Sequence, residues 1–350
     1  MADVKNVMGV SADDIKSIMG VDVGDIKTIV GLDWPASGPA WLGGRHVLAG
    51  NAQTVSKREI DYKSSTSDSN TADWGDLIYG GASPRGTGTG VSSTKGLVGS
   101  RFGISTNIDD YDVLTISTTD SAADGGDLVP DAISGYGMSN GTLMFFAGGS
   151  TSGGFIADMD YITIASEGGS TDAGDISTAL RKGGSTSGDT RGGRFGGSTG
   201  LSDDGYANYT IITADYITFH TTNNASVFGN LSNMDFLGSA CASTTRWVHK
   251  TANKYTNATG HILYERMDYW AADTGGEAGN FGNVVDVSRG TSAMSDGTRG
   301  EFWGGEDGDG SNIIDQIAYI TIASESDATD VGDLYHGINK AEAAGLSGSA

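Results

Sequence analysis

Short apolar runs set between polar, glycine-rich stretches dominate the chain. The clearest is Tyr161-Ile162-Thr163-Ile164-Ala165-Ser166, followed by Asp172-Ala173-Gly174-Asp175-Ile176. It returns as Tyr319-Ile320-Thr321-Ile322-Ala323-Ser324, followed by Asp330-Val331-Gly332-Asp333-Leu334. Looser copies start at Tyr62, Val113, Tyr216 and Tyr269, and successive starts are 51, 48, 55, 53 and 50 residues apart. An aliphatic residue lies 15 positions after each start: Leu77, Leu128, Ile176, Leu231, Val284 and Leu334. A period near 50 marks a repeat architecture.

The sixth copy shows the parts of one unit. Arg299-Gly300-Glu301-Phe302-Trp303 is a short strand ending at Gly304-Gly305, and Ile317 to Ala323 is a second strand. Gly332-Asp333-Leu334 begins a third, and Ala344-Gly345-Leu346-Ser347 is the fourth. Four strands in about 50 residues, with glycine at the corners, is the pattern of a propeller blade. The sequence therefore predicts an all-β, six-bladed β-propeller over residues 38–350. The last strand pairs with the strand begun by Arg45, and this closure leaves no open sheet edge.

Residues 1–37 read differently. Val4-Lys5-Asn6-Val7-Met8-Gly9-Val10 recurs as Ile15-Lys16-Ser17-Ile18-Met19-Gly20-Val21 and as Ile26-Lys27-Thr28-Ile29-Val30-Gly31-Leu32, a period of 11. Each copy reads as one or two helical turns stopped by glycine, with Ser11 as a cap and Asp13-Asp14 at a helix N-terminus. Such short helices are marginal alone, so their apolar positions need a partner. Val4, Met8, Ile15, Met19, Ile26 and Val30 are the expected anchoring residues, and docking on another protein is the preferred reading. Trp34-Pro35-Ala36-Ser37-Gly38-Pro39 is the joint, because proline removes donors and restricts its neighbour.

Composition narrows the classes. Glycine accounts for 56 of 350 residues, with only 4 prolines and no Gly-X-Y register, which fits many tight turns and excludes collagen. The formal charge is −23, from 44 acidic and 21 basic residues, so a phosphate backbone is repelled and nucleic acid is not an expected partner. No apolar run approaches the ~18 residues of a membrane span, and no signal peptide is visible. The single Cys241 reads as a small buried hydrophobe.

The period, the apolar strand ending in Gly148-Gly149, Gly196-Gly197 and Gly304-Gly305, and an aromatic on the next strand resemble the kelch-type propellers. The first, second and fifth copies depart from it with Gly50-Asn51, Ser100-Arg101 and Thr251-Ala252. The wording of the repeat, Tyr161 to Ser166 and then Gly174-Asp175-Ile176, resembles repeat proteins of tailed phages, marine ones in particular. The period-11 segment resembles the N-termini of such proteins. The resemblance implies a virion component assembled in the host cytoplasm.

Candidate chemistry is sparse. Asp-x-Gly-Asp occurs at Asp73–Asp76, Asp124–Asp127, Asp172–Asp175 and Asp330–Asp333. A calcium loop is one reading. A turn, in which aspartate bonds its own backbone and glycine takes positive φ, is the preferred one. A basic residue stands five positions before the double-glycine site at Arg45, Lys95, Arg191, Arg246 and Arg299, with Leu143 the exception. A ring around a ligand competes with an inter-blade ion pair to Asp76, Asp127, Asp175 and Asp333, and the pair is preferred. His46, His220, His249, His261 and His336 lack metal-ligand spacing, and no nucleophile elbow or phosphate loop is present. No metal, cofactor or catalytic set is expected. The most divergent stretch, residues 240–280, holds Trp247, Tyr264, Tyr269 and Trp270, which as aromatics beside acids are the candidate sugar-binding residues.

Two functions follow. The preferred one is a non-catalytic virion structural protein, a tail fibre, appendage or capsid decoration. Its N-terminus docks on other virion proteins, and its propeller contacts host surface glycans, alone or as a homo-oligomer. The alternative is a carbohydrate-processing propeller enzyme, a glycosidase or lyase, since propellers host both.

Overall fold

The computed structural model describes residues 44–348 except 51–57, 79–88, 92–93, 100, 103–106, 109, 130–131, 133–134, 189, 201–209, 220–222, 257–259, 308–311 and 337–343; before residue 44 it describes six two-residue strands. The chain divides into two units, Met1–Gly38 and Pro39–Ala350.

The second unit is a six-bladed β-propeller. From the axis outward, blade 1 is Ala344–Gly348, Arg45–Ala49, Glu59–Ser64 and Ala72–Asp76. Blade 2 is Thr89–Val91, Lys95–Val98, Asp110–Thr115 and Ala123–Asp127; blade 3 is Tyr136–Ser139, Leu143–Ala147, Asp158–Thr163 and Thr171–Asp175. Blade 4 is Gly184–Ser187, Arg191–Phe195, Ile211–Thr218 and Ser226–Asp235, with Gly276–Glu277 added in parallel at its edge. Blade 5 is Ser239–Ala242, Arg246–Lys250, Arg266–Ala271 and Gly279–Asn283, and blade 6 is Ser292–Ser295, Arg299–Trp303, Gln316–Thr321 and Thr329–Asp333. Neighbouring innermost strands lie side by side right round the axis. Their Gly, Ala and Ser residues suit a place where six strands converge. The predicted closure is present, with Ala344 opposite Ala49 and Gly348 opposite Arg45.

Alternation along each strand sends successive side chains to opposite neighbours. Val47 and Ala49 pack toward blade 2, and Leu48 packs toward blade 6. The described core accordingly falls into six clusters, one at each seam between blades. The seam between blades 5 and 6 shows how tightly they fit. An added Cβ on Gly300 would stand 2.4 Å from the Cys241 sulfur. Cys241 is buried, as its composition-based reading expects.

The Asp-x-Gly-Asp motif is not a turn. It forms the outermost strand, with a β-bulge at its x residue. Ile60 opposes Gly75 and Asp61 opposes Asp73, so Trp74 is the extra residue, and it is buried. The same shift recurs in the other five blades. Gly75 has φ +145°, which the bulge requires and glycine supplies. The local bonding was foreseen: the Asp172 carboxylate accepts the Gly174 N–H at 2.8 Å. The sixth copy's outer strand also ends near Gly332-Asp333 rather than beginning there.

The N-terminal unit holds strands rather than helical turns. Asn6–Val7 pairs with Val10–Ser11, Ser17–Ile18 with Val21–Asp22, and Thr28–Ile29 with Leu32–Asp33. Val7 and Val10, Ile18 and Val21, and Ile29 and Leu32 flank a two-residue spacer ending in glycine, and these mostly β-branched pairs favour a hairpin over a helix. The side chains proposed to anchor the protein lie outside the described residues.

Candidate functional site

The repeated arginine sits at the first position of the second strand, whose alternation aims it at the next blade. Its guanidinium lies over the tyrosine of its own third strand: Arg45 over Tyr62 at 5.2 Å, Arg191 over Tyr216 at 4.5 Å, Arg246 over Tyr269 at 4.6 Å and Arg299 over Tyr319 at 4.0 Å. It then reaches the turn of the blade ahead. Arg45 donates to the Ile116 carbonyl, Arg191 to that of Asp273, Arg246 to that of Ile322 and to Glu325, and Arg299 to Asp68. Lys95 pairs with Glu167.

The contact is inter-blade, as the sequence suggests, but its partner differs. Among the described residues, none of Asp76, Asp127, Asp175 and Asp333 pairs with an arginine. Their side chains lie at the outer rim, three of them exposed and Asp175 half-buried. Their backbone carbonyls make the link instead. Asp76 accepts the Ala122 N–H, Asp127 that of Ser170, Asp175 that of Ala225 and Asp333 that of Thr71. Asn230 and Asn283 serve blades 4 and 5 in the same way, because a backbone bond does not require an aspartate side chain.

A second acidic column was overlooked. Asp61, Asp112, Asp160, Asp215 and Asp268 immediately precede the repeat's first residue, and Ala318 holds the sixth place. All five are buried. Asp215 takes the Arg194 guanidinium and the Ser177 N–H of the blade behind. Asp268 takes the N–H and hydroxyl of Ser232 at 2.8 Å each, and Asp61 meets His336 at 2.5 Å. The signal was an acid in five of six aligned copies within a strand otherwise rich in apolar residues.

The seam between blades 6 and 1 carries a buried polar hub. Glu301 accepts from Lys63 Nζ at 3.0 Å, Arg299 Nε at 2.7 Å and Trp303 Nε1 at 2.9 Å, and His46 Nδ1 lies 2.8 Å from its second oxygen. Burial pushes the Glu301 carboxyl up. The bond and charge of His46, then of Lys63, outweigh it and hold the pKa at about 2. His249 likewise meets Asp235 of blade 4 at 2.8 Å, with both side chains fully buried. These histidines are framework groups. The His220 and His261 side chains lie outside the described residues.

The four candidate sugar-binding aromatics are not brought together. Trp247 and Trp270 are 0% and 2% exposed and form one aromatic core with Phe195 and Phe228. They correct the expectation of surface stacking: an indole sealed in a seam offers no face to a ligand. Trp247 fits because Gly193 leaves space, an added Cβ there standing 2.8 Å from the indole. Tyr269 lies under Arg246 beside the turn of blade 6, whereas Tyr264 lies on the opposite face of the ring, in the loop joining the second and third strands.

That opposite face carries the loops between second and third strands and the crossings between blades. Strand direction places Val129, Ile212, Met234, Ile262, Val285, Val287 and Tyr335 there. These are seven of the eight exposed large hydrophobics among the described residues, and only Val227 lies elsewhere. Two equivalent pockets also open at seams on this face. The pocket between blades 5 and 6 holds Lys250, Gln316 and Ala318; that between blades 2 and 3 holds Asp158 and Asp160. Lys250 donates to the Ser288 carbonyl, and burial lowers its pKa to about 8. Among the described residues no three His, Cys, Asp or Glu side chains gather as a metal centre. Among the described residues no helix is long and apolar enough to cross a membrane.

Comparison with known families and curated proteins gives no match to this chain.

Proposed function

We propose that this chain is a non-catalytic structural protein of a tailed-phage virion, kelch-like in its repeat, with the propeller as displayed head and residues 1–33 as attachment device. The observation that carries this reading is the N-terminal unit: three hairpins of the same size, each pairing residues such as Val7 with Val10, repeat every 11 residues. Equal units suit equal binding grooves on other virion proteins. Burying about six apolar side chains at ~1.5–3 kcal/mol each favours docking before the ordering entropy is subtracted. The propeller supports display. Its polar groups chiefly serve the seams, and its exposed apolar side chains collect on one face. That face is the surface for weak contact with host glycans.

The test is removal of residues 1–33. The truncated propeller is expected to fold and stay soluble but to be missing from purified particles by subunit census. Assembly of the truncated protein into particles, or unfolding of the propeller without the segment, rules out the anchor role.

A further inference from the structure

Asp160 differs from three members of its column, Asp61, Asp215 and Asp268, whose partners are seen. Asp215 and Asp268 each receive the N–H and hydroxyl of a serine in the blade behind, Ser177 and Ser232. Blade 2 has Val129 at that place, which has no hydroxyl, and its N–H goes to the Ser170 hydroxyl at 2.8 Å. Asp215 and Asp268 also hold arginines, Arg194 and Arg266, and Asp61 holds His336. Asp160 has no hydrogen-bond or ion-pair partner among the described residues, although it is only 9% exposed.

Its surroundings add charge of the same sign. Burial raises its pKa to about 6, and the neighbouring charges that act on it are those of Asp172 and Asp158. Asp158 lines the same pocket, and Asp172 stands opposite Asp160 across the strand pair. Leu128, Phe146 and Ile156 wall the pocket, which encloses about 280 Å³ with its open mouth included. A buried carboxylate without a counter-charge is costly, and such a group is paired, binds metal or takes up a proton.

We propose that the pocket between blades 2 and 3 is a site for a hard cation such as Ca²⁺, with Asp160 and Asp158 as its carboxylate ligands. Oxygen donors suit this ion, and water and backbone carbonyls complete its shell, since two side-chain acids are too few alone. The Asp-x-Gly-Asp bulges are not themselves the site, because the first aspartates Asp124, Asp172 and Asp330 are bonded to the strand backbone. The equivalent pocket between blades 5 and 6 is balanced without an ion: Gln316 and Ala318 stand at the places of Asp158 and Asp160, and the acid that does line it, Asp286, shares it with Lys250.

The experiment uses the full chain in high KCl, which screens the diffuse acidic surface. Calcium chloride is titrated by calorimetry, and thermal unfolding is compared in Ca²⁺ and in EDTA. The unaltered protein is expected to bind one specific ion and to unfold at higher temperature with Ca²⁺. Asp160→Asn is expected to lose both effects and to exceed the unaltered protein in EDTA, having shed an uncompensated charge. Asp330→Asn, in an outer-rim bulge, is expected to keep both. The proposal is overturned if the unaltered chain shows neither effect, or if Asp160→Asn retains them. Should Asp160→Asn not fold, titration of the unaltered chain and of Asp158→Asn still decides: no specific binding, or binding undiminished in Asp158→Asn, overturns the site.

Discussion

The Arg299 guanidinium lies 4.0 Å from the centre of the Tyr319 ring and, at the same time, 2.7 Å from an Asp68 oxygen in the blade ahead. One side chain thus ties its own third strand to its neighbour's turn. Arg246 and Tyr269 repeat the arrangement. A double-mutant cycle with Arg246→Met and Tyr269→Leu is expected to give a coupling of ~0.5–1 kcal/mol by urea unfolding. Arg246→Lys recovers only part of it, because an ammonium lacks the planar group that stacks and forks. A coupling near zero argues that the stack is incidental.

The acid limb of stability is expected to depend on Glu301. Its folded pKa lies near 2 against an ordinary 4.5. A lowered carboxylate pKa stabilises the fold above the unfolded value, and that stability fades as pH falls from about 4.5 toward 2. The shift corresponds to ~3 kcal/mol. Glu301→Gln should flatten the stability profile over this range. An unchanged profile would show that other carboxylates govern acid unfolding.

Arg194 and Asp215 are both 1% exposed in their side chains. Arg194→Met leaves a buried carboxylate with only its serine donors, and a loss of ~3–5 kcal/mol is expected by chemical denaturation. Replacing both by apolar residues of similar volume should cost much less, which distinguishes a stranded charge from a pair that itself stabilises.

Gly300→Ala brings a methyl to 2.4 Å from the Cys241 sulfur. Overpacking of ~1–3 kcal/mol is expected. Cys241→Ala in the same chain should recover part of that loss, and strictly additive effects would show that the seam relaxes elsewhere.

The blades were legible because their periodicity is written in consecutive residues. So was the closing strand, since a tail with one blade strand needs the strands that start at Arg45. The destination of each arginine was not legible. Arg246 and Ile322 are 76 positions apart and meet only because the ring sets one blade beside the next. The bulge was misread as a turn because Asp-x-Gly-Asp carries the same aspartate and glycine chemistry in both settings. Trp247 and Trp270 looked available because composition does not say which way a strand residue faces; alternation and Gly193 do. Asp160 stands out only beside Asp61, Asp215 and Asp268, whose partners the structure reveals.

The pairing of Ala344–Gly348 with Arg45–Ala49 joins residues far apart in time as well as in sequence. At roughly 5–20 residues per second, the ribosome needs about 15–60 s to travel from one strand to the other. Throughout that interval the strand begun by Arg45 has one edge without its final partner. Two chains emerging close together on one messenger can each lend the late strand to the other. Crowded synthesis should therefore yield some exchanged dimers, whereas dilute refolding should yield monomeric rings.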